Sequence, residues 1–196
     1  LSRLRKKAAG EFEKEIRSSL GDLNFADTRF EVRFEDKKVF SHRGYDRLRF
    51  FISTNLGEEM HPLAEIASGG ELSRIMLAVK TVSAGKEAVQ TLIFDEIDSG
   101  ISGMTAWKVS EKLGLLSGNL QVICITHLPQ IAAMADNHIK IQKTEKNAHS
   151  ITEVTKLDAE ESAGEIARLL GGDEISRAAL ENAKELIAKA KEIRTF

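Results

Sequence analysis

The chain has 196 residues, 42% of them hydrophobic and 30% charged, with 28 Lys and Arg against 30 Asp and Glu for a formal net charge of -2. That content suits the core of one ordinary domain and excludes a polycation that coats nucleic acid over its whole surface, so any DNA contact must be local. One cysteine, Cys124, excludes an internal disulfide, and no apolar run approaches the roughly 20 residues that span a bilayer.

No charged-then-apolar leader opens the chain, which makes a cytoplasmic location without a membrane partner the expectation. Leu1 starts inside a charged helical pattern, as expected of an excised fragment. Leu1, Leu4, Ala8, Phe12, Ile16 and Leu20 recur at three- and four-residue steps, predicting an amphipathic helix capped at Gly21. Phe30, Val32 and Phe34 alternate with charged residues, and Leu48, Phe50 and Ile52 alternate again after Gly44, predicting two half-buried antiparallel strands. After a polar stretch over 55–62, Ser68-Gly69-Gly70 opens a helix whose apolar face is expected at Leu72, Ile75, Met76, Val79 and Val82.

A βαβα rhythm follows. The apolar runs 89–94 and 120–125 read as parallel strands covered on both faces, and 102–116 and 128–135 read as the helices after them. Within the second run, Cys124 reads as a buried small residue rather than a nucleophile. Residues 138–142 and 150–157 read as two more strands joined by a polar turn over 143–149. Two helices close the chain, at about 160–170 with Gly171-Gly172 as its stop, and at about 174–193.

Three of these segments carry chemistry. In an open parallel sheet the loops after the strands face the ligand crevice, and Asp95 and Glu96 directly follow the apolar run Thr91-Leu92-Ile93-Phe94. A carboxylate there can bind Mg2+, and the adjacent acid can orient and deprotonate an attacking water. Two acids can also simply end a strand. His127 follows the next apolar strand at the corresponding place, where a neutral imidazole can hydrogen-bond a γ-phosphate or that water. The other histidines, His42, His61, His138 and His149, read as surface or packing residues. Ser68-Gly69-Gly70 has the make-up of an anion nest at a helix start, with Glu71 suited to the helix dipole and Arg74 able to pair with an acid or reach a phosphate. A loop of the form Gly-x-x-x-x-Gly-Lys-Ser/Thr is missing; the nearest match, Gly85-Lys86-Glu87, has Lys80 where the first glycine should be and Glu87 where the hydroxyl should be.

In order, Ser68-Gly69-Gly70-Glu71, the strand ending in Asp95-Glu96, and Thr126-His127 resemble the signature motif, Walker B and H-loop of the C-terminal half of an ABC-type ATPase head. With no Walker A and a charged helix in front, the chain is similar to the SMC-like members, whose head is split by a coiled coil. Over nearly its whole length it resembles those that act in bacterial recombination and double-strand-break repair, a nucleoid-associated setting. The resemblance implies an α/β fold, the C-terminal lobe of such a head, with a largely parallel sheet flanked by helices. Residues 1–22 would end a coiled-coil arm and 23–196 would form the half-head.

The implied ligands are ATP and Mg2+, and the implied activity is ATP hydrolysis once the Walker A half joins, the fragment alone being inactive. Asp95 would hold Mg2+, Glu96 would be the base and His127 would sense the γ-phosphate. Ser68, Gly69, Gly70 and Glu71 would cap ATP on a second head, and Ser99, Gly100 and Ser102 would form the D-loop. Ser102 stands where the superfamily usually has an aspartate. A non-hydrolysing scaffold that bridges DNA is the alternative, and Glu96 is the residue such a scaffold would not need. Direct DNA contact is a further reading of two basic clusters, Arg3, Arg5, Lys6 and Lys7, or Arg43, Arg47 and Arg49.

Overall fold

In the computed structural model, residues 1–25, 27–42, 44–66, 69–85, 89–146 and 149–194 are described, without the side chains of residues 36–38, 146 and 149. The chain forms two compact units, Leu1–Ile101 with Asn119–Ile125, and Ser102–Gly118 with Thr126–Phe196.

The first unit starts with α1 (Ser2–Asp22), which packs on β1 (Arg29–Ser41) and α2 (Gly69–Val82). Full burial is confined to its second half: Ile16 and Leu20 are fully buried, whereas Leu1 and Leu4 are 69% and 67% exposed. The helix runs through Gly21 rather than stopping there, and Asn24, at φ 69°, makes the left-handed exit. Asparagine tolerates that conformation at a helix end, so the glycine was not required.

The hairpin of β1 and β2 (Gly44–Ser53) has the register Phe30↔Ile52, Val32↔Phe50 and Phe34↔Leu48, which puts the predicted apolar alternation on one face. Phe12 of α1 joins Phe30 and Phe50, with ring centroids 5.7 to 6.1 Å apart; each such pair contributes about 0.5–1.5 kcal/mol beyond its buried area. Ser2 and Arg5 of α1 grip the buried carboxylate of Asp46 at 2.6 and 3.0 Å, fastening the helix to β2. The polar stretch before the Ser-Gly-Gly turn contains a short third strand, β3 (His61–Pro62), paired antiparallel to β2, and a 3-10 turn over Leu63–Glu65.

The buried face of α2 differs from the expected one. Arg74, Ile75, Leu77 and Ala78 are buried, whereas Leu72, Met76, Val79 and Val82 are only half-covered. Parallel pairing among the described residues is confined to β4 (Thr91–Phe94) and β5 (Gln121–Cys124). Their outer face is open, with Ile93 68% and Ile123 44% exposed, so the expectation of cover on both faces does not hold.

In the second unit, α3 (Gly103–Ser117), α4 (Pro129–Ala132), α5 (Ala159–Gly171) and α6 (Arg177–Arg194) enclose a core around Trp107, Met134, Ile166 and Ala183. Asp158 caps α5 through a reciprocal pair with Glu161, an arrangement worth about 1 kcal/mol. β6 (Ile139–Lys146) and β7 (His149–Lys156) form one long antiparallel hairpin. Most of the supposed polar turn over 143–149 is therefore ladder, because backbone pairing does not require apolar side chains.

Candidate functional site

The site in the first unit is built where β4 ends beside the start of α2. Asp95 and Glu96 are exposed at that end, whereas Ile97 and Asp98 turn inward and are buried. Glu96 has φ 56°, a left-handed conformation that costs a residue with a side chain about 1–2 kcal/mol. The turn around it is held by its own backbone: the Ser99 N–H donates to the Glu96 carbonyl at 3.0 Å. The Glu96 N–H donates to Asp95 Oδ1 at 2.9 Å.

Helix α2 grips this turn from the other side. The Ser73 hydroxyl donates to the Asp95 carbonyl at 2.8 Å. Arg74 Nη1 donates to the carbonyls of Ile97 at 3.1 Å and Ser99 at 2.7 Å. The glycines of the motif make the approach possible. A Cβ on Gly70 would lie 2.8 Å from Ser99 Cβ and 2.9 Å from the Glu96 carbonyl oxygen. A Cβ on Gly69 would land on Glu96 Oε2. The close approach that Gly70 permits is thus to the chain's own turn, while Gly69 lies exposed at the helix start with the Glu96 carboxylate against it.

Glu96 and Ser99 therefore meet Gly69 and Gly70, Asp95 meets Ser73 one turn on, and Glu71 is half-buried in the first turn of α2. Gly100, at φ 72°, completes the turn in a conformation suited to glycine. Ser68 lies outside the described residues, as do Lys86 and Glu87 of the near-match to a phosphate loop. His127 and Ser102 belong to the second unit. There His127 is exposed in the extended segment before α4, next to Thr126, whose Oγ1 accepts from the Leu128 N–H at 3.0 Å. Ser102 is the extended residue preceding α3 and makes no side-chain cap bond.

Arg74 was open to an acid or a phosphate in the sequence; here its Nη1 bonds go to carbonyl oxygens. Burial lowers its pKa, while Glu71 and Asp98 act in the opposite direction. Ser73 carried no signal of its own. The signal available was helical spacing, because residues three and four positions after Gly69 and Gly70 share their face. Cys124 is half-buried rather than fully buried, and its thiol is pushed up to about 12, first by burial and then by Asp98 and Asp95, which leaves it unreactive at neutral pH.

Among the described residues no cluster of three or more His, Cys, Asp or Glu is placed to hold a metal. One or two carboxylates beside a glycine-lined helix start fit Mg2+, which is held by few protein ligands and completed by water and phosphate oxygens. Of the basic clusters, Arg5 is tied to Asp46, Arg49 pairs with Glu35 and Glu65 at 3.6 and 3.9 Å, and Arg43 lies outside the described residues. Arg3, Lys6 and Lys7 are exposed on α1.

No family model matches the chain. It is 46% identical over 198 residues to the DNA repair protein RecN of Halalkalibacterium halodurans, a match covering 99% of this chain and 35% of that protein. It is 39% identical over 201 residues to RecN of Bacillus subtilis, covering 97% and 35%. With RecN of Vibrio cholerae it shares 41% over 191 residues, covering 97% and 34%. The chain thus spans about a third of the length of the curated relatives it matches. Among solved structures it is similar to the Smc head domain with a coiled coil and joint from Pyrococcus yayanosii, with a TM-score of 0.57, 20% identity, and coverage of 83% of this chain and 29% of that one. The Smc head domain with an extended coiled coil bound to the C-terminal domain of ScpA, from Pyrococcus furiosus, gives 0.55, 19%, 82% and 37%. These likenesses identify the fold as that of an SMC-type head.

Proposed function

We propose that this chain, which belongs to the RecN family of DNA repair proteins, works as the signature and Walker B half of an SMC-like ATPase head in double-strand-break repair and recombination. The observation that carries the reading is the Glu96 carboxylate, at the end of a parallel strand, held in a left-handed turn against the glycines that open α2. Backbone strain of this kind persists where a site needs a group aimed in one direction.

In this reading Glu96 is the general base, accepting a proton at its carboxylate from the water that attacks the γ-phosphate of ATP. Asp95 is the residue that would hold Mg2+, and the ion when bound neutralises charge on the phosphate oxygens. Gly69 and Gly70, with Ser68 and Glu71, offer the N-terminus of α2 to a triphosphate carried by a second head. His127 serves as the γ-phosphate sensor, and Ser99, Gly100 and Ser102 form the loop that meets the opposite head. Residues 1–22 end the coiled-coil arm, and 23–196 form the half-head. The work is done beside the nucleoid in the bacterial cytoplasm, with DNA as the partner of the assembled protein.

Two features support a partner that completes the head. The sequence has no Gly-x-x-x-x-Gly-Lys-Ser/Thr loop to grip the phosphates. Among the described residues β4 and β5 pair only with each other, and Ile93, Ile123 and Ile125 stay exposed, an apolar area that invites further strands and cover. The expected cover is the Walker A half, without which this chain does not hydrolyse ATP.

The test is ATP turnover by the whole protein carrying Glu96→Gln. Loss of the base should lower kcat by about 10²–10⁴-fold while ATP still joins two heads, measured by crosslinking or light scattering. Turnover near the unsubstituted rate would overturn the assignment of Glu96 as the base, whereas no turnover by the unsubstituted whole protein would favour the scaffold.

A further inference from the structure

Arg74 is 7% exposed, and a buried guanidinium is costly unless its donors are filled. Its Nη1 makes two bonds, both to backbone oxygens of the turn after β4, and its Nε is buried with no partner among the described residues. The carboxylates of Glu71 and Asp98 favour its charge against the effect of burial, and the Phe25 ring lies 5.6 Å from the guanidinium carbon. As an element of stability alone the arrangement is poor, since an apolar side chain of similar length would fill the space without burying a charge.

The location of the two bonds gives the guanidinium a different use. Ile97 and Ser99 are one and three residues beyond Glu96, and Ser73 holds the carbonyl of Asp95 just before it. Consecutive residues of α2 thus clamp the backbone on both sides of a residue whose left-handed φ of 56° is unfavourable by itself. Released from the clamp, the turn can relax toward an ordinary conformation, which swings the carboxylate away from Gly69. The helix that does the clamping is also the helix that begins with Gly69 and Gly70, so displacement of its N-terminus moves the base's turn with it.

We propose that Arg74 is a positioning residue for Glu96, a guanidinium clamp that fixes the turn carrying the base to the helix that carries the signature glycines. The proposal rests on Glu96 being the base. It requires the two N–H groups of Nη1 to reach two carbonyls at once, at a reach and orientation fixed by the guanidinium that the shorter, more strongly hydrated lysine ammonium reproduces only in part.

The experiment uses the whole protein with Arg74→Met, Arg74→Lys, Glu96→Gln and the Arg74→Met/Glu96→Gln double variant. A base displaced by about 1 Å should cost kcat about 100-fold, with KM for ATP changed by less than about twofold because ground-state binding is untouched. Arg74→Lys, which keeps the charge on a stem one bond shorter, should lose a smaller part of kcat and again leave KM alone. In the Glu96→Gln background Arg74→Met should change the residual rate little, because no base remains to be positioned. A kcat for both Arg74 variants within about twofold of the unsubstituted protein overturns the proposal. So does an equal fractional loss in the presence and absence of Glu96, which marks a role in folding alone and covers a methionine variant that folds badly. Wild-type turnover by Glu96→Gln alone would refute the base assignment instead, and is read separately.

Discussion

Two adjacent glycines give a sharp test, because the space behind each is closed by a different kind of neighbour. An alanine Cβ at position 70 would lie 2.8 Å from Ser99 Cβ, 2.9 Å from the Glu96 carbonyl oxygen and 3.3 Å from Arg74 Nη1. Carbon atoms prefer about 3.5–4.0 Å, so the turn must back away by more than half an ångström, and that carbonyl is already tied to the Ser99 N–H. Overpacking of this size costs about 1–3 kcal/mol, against a gain of about 0.5–1 kcal/mol from replacing glycine inside a helix. Gly70→Ala should therefore destabilise the protein by about 1 kcal/mol, the centre of a difference that runs from about 0 to 2.5 kcal/mol.

At position 69 the Cβ meets only Glu96 Oε2 and, at 3.4 Å, Glu96 Cδ, the tip of a flexible side chain on an exposed residue. Gly69→Ala should leave stability unchanged or raise it by up to about 1 kcal/mol, yet lower kcat about 100-fold by pushing the carboxylate aside. Urea unfolding followed by circular dichroism, with ATP turnover on the same samples, separates the two. Equal destabilisation by both substitutions, or a Gly70→Ala protein more stable than the unsubstituted one, would refute the close approach of α2 to the turn.

Glu96→Gly removes the left-handed penalty of about 1–2 kcal/mol and adds about 0.5–1 kcal/mol of unfolded-state freedom. It should raise the unfolding midpoint slightly or leave it in place while abolishing hydrolysis, and a clear drop in midpoint would count against strain at this residue. Acid sensitivity should trace in part to Asp46, whose carboxyl is held below its ordinary range by the Ser2 hydroxyl first and by Arg5, against the opposing effect of burial. Because its folded pKa lies below the unfolded one, its stabilisation is complete above the unfolded value of about 4 and is lost as pH falls through the folded value. Asp46→Asn should lower stability at neutral pH and flatten the fall on acidification; urea midpoints with parallel pH dependence for the two proteins would contradict this. Glu165 keeps a similar acid dependence in both, since Arg168 and Lys140 lower its pKa by more than burial raises it.

Much of the architecture was legible because side-chain periodicity reports which face is covered. The alternation at Phe30, Val32 and Phe34 predicted a face that the register with Ile52, Phe50 and Leu48 reproduces, and the apolar run before Asp95 predicted a strand found at Thr91–Phe94. The reading weakened where pairing depends on the backbone alone, as in the polar ladder of β6 and β7, or where the covering element decides which face is buried, as on α2.

For the site, residue order by itself determined which groups could act: two acids after an apolar strand, glycines at a helix start, and a histidine after the next strand. Only the tertiary structure decided that the Glu96 carboxylate rests on Gly69, that Gly70 is closed by the chain's own turn, and that Arg74 directs its Nη1 at two carbonyls. Periodicity encodes which side of an element meets the core, whereas a left-handed φ and a helix-to-turn clamp arise from contacts between segments about 25 residues apart, which no local pattern contains.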